Sequence, residues 1–156
     1  MSRRILIRSI LIVVVATVLT ASLATAAGPL QFYSVTPCRV VDTRGAVGLT
    51  GGPALSGFQV RNFPMRGVCG VASTAVAVSL NVTVVSPAAG GYLTLWPSGS
   101  AQPTVSTINF TPADAALANG AIVPLATVMS SSEIAVFNGS SGATHLLLDV
   151  TGYFAP

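Results

Sequence analysis

The chain holds a single histidine, and it lies close to an acid: His145 and Asp149 are separated by Leu146-Leu147-Leu148. With a serine beside them they would supply the residue types of a hydrolytic triad, in which a base takes a proton from a hydroxyl nucleophile and a carboxylate orients the base. The spacing argues against that chemistry. Four residues along a strand put both side chains on one face but about 13 Å apart, beyond hydrogen-bond reach. No Gly-x-Ser-x-Gly turn presents a serine nucleophile. The pair reads as the polar face of a strand, and no enzyme activity is expected.

Asp42-Thr43-Arg44 is the densest charge cluster. Alternation places Asp42 and Arg44 on the same side of a strand. One reading is a calcium site or a pair of glycan contacts. The other is an internal ion pair, joined by Arg39, that fixes the following loop. Calcium wants several oxygen ligands, and the acids of this chain are scattered. No metal site and no cofactor are implied.

Cys38 and Cys69 are the only cysteines. Two thiols and one distant histidine fall short of the four ligands of a structural zinc site, and a catalytic thiol needs a base nearby. In an exported chain the two would form one disulfide. Closing that loop stabilises by about 3–4 kcal/mol on the chain-entropy model. Tyr92, Trp96 and Tyr153 are the aromatics suited to stack on a sugar ring, and Tyr92 and Trp96 fall on one strand face. Burial in a core is the competing fate of such rings.

Strands must position all of these groups. Residues 75–85 alternate, with Val76, Val78, Leu80, Val82 and Val84 set against Ala77, Ser79, Asn81, Thr83 and Val85, the period-two mark of a strand with one buried face. A Gly- and Pro-containing turn follows, and residues 92–96 return with Leu93 and Leu95 on one face. Residues 104–110, 121–125, 133–137 and 145–154 read as further strands, with 121–125 at a sheet edge because Pro124 cannot donate to a ladder. Asn138-Gly139 is a strong hairpin signal. Residues 30–36 and 39–42 read as two short strands, 45–57 as a Gly-rich loop, and 113–118 as one helical turn with Asp114 near its start. Eight to ten short strands imply an all-β antiparallel sandwich or jelly roll in a single domain, residues 27–156.

Ahead of that domain, Arg3, Arg4 and Arg8 precede the apolar stretch 10–19, and Ala24-Thr25-Ala26 offers a small-residue cleavage site. Residues 1–26 therefore read as a cleaved signal peptide, with no membrane span left after its removal. The leader holds three of the seven basic residues, so four arginines face four acids in the remainder. A neutral body has no basic stripe, which excludes nucleic acid as an expected partner. Its outward strand positions must be Ser, Thr, Asn, Ala and Gly rather than charges, a surface without the repulsion that keeps β-proteins apart.

Asp42-Thr43-Arg44, Leu80-Asn81-Val82-Thr83-Val84-Val85, Gly91-Tyr92-Leu93-Thr94-Leu95-Trp96-Pro97 and Asp149-Val150-Thr151-Gly152-Tyr153-Phe154 stand in an order that resembles a β-rich module of secreted and surface proteins from actinobacteria, acidobacteria and related soil bacteria. The likeness spans residues 32–154. It implies a surface module with no established catalytic activity. Together with the leader and the uncharged surface, this gives the expectation of a secreted, non-enzymatic structural or interaction module at the cell surface. It would associate with itself or the cell envelope, and residues 28–36 could donate a strand to a neighbour. The alternative is a carbohydrate-binding module, with Tyr92 and Trp96, or Asp42 and Arg44, as glycan contacts.

Overall fold

Alternation decides the central element. In β3 (Ala77–Val85), Val78, Leu80, Val82 and Val84 are fully buried, while the intervening Ser79, Asn81 and Thr83 are half-buried. A computed structural model describes residues 28–128 and 132–156; the expected leader lies outside the described residues. β3 is flanked on one side by β8 (His145–Ala155), which turns Leu146, Leu148 and Val150 to the same interior. On its other side lies β6 (Ala116–Pro124), and β8 is followed outward by β1 (Gln31–Asp42), giving the sheet order β1-β8-β3-β6. The second sheet has the order β2-β7-β4-β5, from β2 (Val60–Phe63), β7 (Ile134–Asn138), β4 (Gly91–Pro97) and β5 (Ile108–Phe110).

Every pairing between these eight strands is antiparallel. The chain changes sheet at each connection except β4 to β5. Eight strands divided in this way form a jelly roll, the expected all-β sandwich. The inner faces meet through Phe63, Leu93, Ile134 and Val136 of one sheet and the β3 and β8 residues of the other, with Leu55 and Met65 from the loops. Each such side chain taken from water contributes roughly 1.5–3 kcal/mol. Among the described residues no helix is long and apolar enough to cross a membrane.

Four expectations need correction. The two short strands at 30–36 and 39–42 are one strand, β1; its register slips between Ser34 and Cys38, and Pro37 sits in that irregularity, where no ladder donor is needed. Residues 113–118 make no helical turn: Asp114 instead accepts from the Thr111 amide and hydroxyl at 2.7 and 3.0 Å, closing a turn into β6, which runs from Ala116 and so extends well ahead of the expected 121–125. The 104–110 strand is confined to β5, because residues 98–107 form a loop. Asn138-Gly139 is no hairpin. It is a corner where the chain leaves one sheet for the other, and the fully buried Asn138 amide donates to the carbonyls of Leu55, Ser56 and Gly142.

Two tethers hold the long β2–β3 connection. Cys38 of β1 and Cys69 form the expected disulfide, with Cα atoms 5.6 Å apart. Glu133 and Arg66 form a buried ion pair, Nη1 to Oε1 3.5 Å. Glu133 Oε2 also accepts from the amides of Met65 at 2.5 Å and Arg66 at 2.9 Å, while Arg66 donates to the carbonyls of Ala75 and Ala126. The Gly-rich loop is gathered by Arg61, which donates to the carbonyls of Pro53, Gly51 and Gly48 and lies 5.1 Å from the Phe63 ring centroid. Desolvation lowers the pKa of this guanidinium.

Candidate functional site

Asp42 and Arg44 are brought together, but against each other. Arg44 donates to Asp42 through its backbone amide at 3.1 Å, Nε at 2.9 Å and Nη2 at 2.7 Å. Arg39 grips Asp149 through Nε at 2.7 Å and Nη2 at 3.0 Å and reaches Asp42 at 3.5 Å. The hydrogen bonds from Arg44 hold the Asp42 carboxyl well below the usual carboxylate range, and Asp149 raises the Arg39 pKa through its own hydrogen bond. Two arginines and two aspartates thus neutralise one another at the β1–β8 ladder. The geometry is that of the internal ion pair, widened to four members.

His145 takes a different partner. Its Nδ1 lies 3.2 Å from Thr43 Oγ1, and that oxygen also accepts from the Leu146 amide at 2.8 Å. Which of the two groups donates in the Thr43–His145 contact depends on the ring tautomer. Asp149 is held by Arg39, so His145, Asp149 and a serine are not assembled as a triad. Among the described residues, no three His, Cys, Asp or Glu side chains gather as a metal site would require.

The aromatics divide as well. Tyr153 stacks on Tyr33 at 5.2 Å in the β1–β8 sheet and packs against the core, remote in the fold from the other two. A register slip opposite Ser79 and Leu80 shifts the alternation of β8 and turns Tyr153 to the side of Val78. Trp96 shares the outer face of β4 with Tyr92, as expected, but it is only 7 % exposed. The loop 98–107 folds over it. Trp96 Nε1 donates to Ser100 O at 3.1 Å, Thr94 Oγ1 to Val105 O at 2.7 Å, and the Leu95 amide to Thr107 Oγ1 at 3.0 Å. Trp96 is a fastener for this loop and not an open stacking surface.

Tyr92 keeps its exposure, at 37 %. It lies opposite Asn109 of β5 in the ladder, and its amide oxygen accepts from Gly139 on the other side. The ring occupies the space a side chain on residue 139 would need: a Cβ there would fall 2.4 Å from the ring carbon Cζ. Glycine is therefore required at position 139, and the ring is set in place, with the Phe137 ring edge-on at 6.1 Å. Tyr92, Asn109 and the loop residues 102–106 line a groove of about 590 Å³.

Tyr92 is legible in the sequence but the groove is not, because residues 104–106 of its wall fall in the expected strand 104–110. Thr107 in the covered loop is fixed at both ends, its amide donating to Leu93 O at 2.7 Å and its carbonyl accepting from Asn119 Nδ2 at 2.7 Å. The only advance signal for a loop there was Gln102-Pro103, since proline disfavours a strand interior. Compared with known proteins, the chain matches no family model, no curated protein and no solved structure.

Proposed function

We propose that this domain is a secreted, non-enzymatic structural or interaction module that associates with further copies of itself through the free edge of β6. The observation that carries the reading is the character of that edge. Among the described residues β6 pairs only with β3, and its nine residues, Ala116–Pro124, include no charge. Ile122 is 65 % exposed on it. An uncharged, extended edge presents unpaired amides and carbonyls and is a template for another strand, which natural β-proteins normally blunt with lysine, bulges or very short strands.

The other edges are blunted along their length, whereas β6 carries proline only at its last residue, Pro124. β1 carries Pro37, two register slips and the Arg39–Asp149 pair. β2 and β5 are short, with four and three residues. Strand donation by residues 28–36 is set aside, because Gln31–Ser34 already pairs with Gly152–Ala155 of its own chain. Antiparallel pairing of β6 with β6 of a second copy would make an isologous two-fold contact and a continuous eight-stranded sheet. The disulfide and the leader-like first 26 residues support an oxidising compartment.

Light scattering after size-exclusion chromatography tests the reading. A concentration-dependent dimer or larger assembly is expected for the exported protein, and Ile122→Lys is expected to leave a folded monomer. A strict monomer at high concentration would overturn it.

A further inference from the structure

We infer that the Tyr92 groove is a binding site for a neutral polysaccharide, engaging a hexopyranose ring. The site is separate from the β6 edge, so the inference does not depend on self-association. Three features of the groove argue for this ligand class.

The first is shape and rigidity. The groove has about 590 Å³, within the range of roughly 300–1,000 Å³ usual for small-ligand sites. Its parts are fixed before any ligand arrives. Tyr92 is seated on Gly139, and the wall is pinned through Thr94, Leu95, Trp96 and Asn119. A site whose parts are already ordered loses less conformational entropy on binding.

The second is the lining chemistry. A tyrosine ring offers a flat apolar surface to the C–H face of a pyranose, and Pro103 and Val105 extend the apolar part. Around them stand side-chain amides and hydroxyls. Asn109 Nδ2 donates to Ser106 Oγ at 3.1 Å, which leaves its Oδ1 and second N–H for a ligand. The side chains of Gln102 and Thr104 are exposed and make no hydrogen bond among the described residues. Amides both donate and accept, as adjacent sugar hydroxyls do.

The third is charge. Among the described residues no lysine, arginine, aspartate or glutamate lines the groove. A uronate, a phosphate or an acidic peptide would leave its charge unanswered there. Proline-rich peptides use grooves walled by aromatic rings, whereas here a single ring lines the site.

The test is isothermal titration of the exported protein with cellohexaose, laminarihexaose and chitohexaose, with polygalacturonate and a polyproline peptide as contrasts. Saturable binding to at least one of the neutral oligosaccharides is expected, with no binding of the contrasts. Tyr92→Ala is expected to weaken it about tenfold or more. Because Tyr92 covers Gly139, Asn109→Ala and Gln102→Ala are measured beside it. Both positions are exposed on the groove, and each variant is expected to bind several-fold more weakly while keeping the wild-type melting temperature. Absence of binding to all three oligosaccharides, preference for polygalacturonate or the peptide, or unchanged affinity in Asn109→Ala and Gln102→Ala would each overturn the inference.

Discussion

Replacing Glu133 with alanine removes one partner of a pair that is closed off from solvent, with side-chain exposures of 4 % for Glu133 and 7 % for Arg66. Three losses coincide. Among the described residues the Arg66 guanidinium keeps only the carbonyls of Ala75 and Ala126, so a buried charge stands uncompensated. The amides of Met65 and Arg66 lose their shared acceptor, at about 1–3 kcal/mol for each buried unsatisfied group. These terms overlap, and breaking a buried pair by deleting one member costs about 3–5 kcal/mol. With an unfolding entropy of about 2.1 cal/mol/K per residue, a domain of this size should melt roughly 15 °C lower. Urea denaturation of the oxidised protein with a common m-value would measure the change. The decisive variant is the double one. Arg66→Met with Glu133→Met removes the orphan charge, so its cost should fall below the sum of the costs of Arg66→Met and Glu133→Met alone by about 2 kcal/mol. A Glu133→Ala cost under about 1 kcal/mol, or strict additivity of the single variants, would refute the claim that this pair clamps the β2–β3 connection.

Trp96→Phe keeps an aromatic ring but gives up part of its buried volume and the bond to Ser100; it should cost about 1 kcal/mol or more and speed amide exchange in the loop 98–107, read by hydrogen-exchange mass spectrometry. Cys38→Ser with Cys69→Ser should lower stability by about 3–4 kcal/mol in denaturant titration, the effect arising mainly from the freed unfolded chain. Because the Asp42 carboxyl is held below its unfolded value of about 3.9, its contribution is complete above about pH 5 and drains away as the pH falls through 4 and lower. The network is partly exposed, so the loss is at most about 1 kcal/mol; stability measured from pH 6 down to pH 3 should fall less steeply in Asp42→Asn than in the native protein.

What could be read from the sequence is what local chemistry controls. The alternation of β3 named its buried face from Val78 to Val84, since period two admits one reading when a face is apolar, but Val76, expected on that face, precedes the strand and is 37 % exposed. The disulfide followed from there being two cysteines and a leader. The failures are places where a distant segment overrides the local signal. Asn138-Gly139 has the composition of a hairpin, but the Asn138 amide is claimed by carbonyls more than eighty residues earlier in the chain. Thr94 and Trp96 occupy outward strand positions, and a loop arriving from beyond Pro97 buries them. Arg66 and Glu133 are far apart in sequence, and nothing in either neighbourhood announces the other. The groove was half legible: Tyr92 was chosen for its ring, whereas Asn109 and residues 102–106 become its neighbours only through the β4–β5 pairing.

The claim that the β6 edge meets a second copy is tested most directly by amide hydrogen exchange followed as a function of protein concentration. Pairing of that edge requires the outward-facing amides among Ala116–Val123 to become better protected as the protein is concentrated, while those of the blunted β1 edge stay unchanged. Exchange in β6 that is identical in dilute and concentrated protein would contradict it.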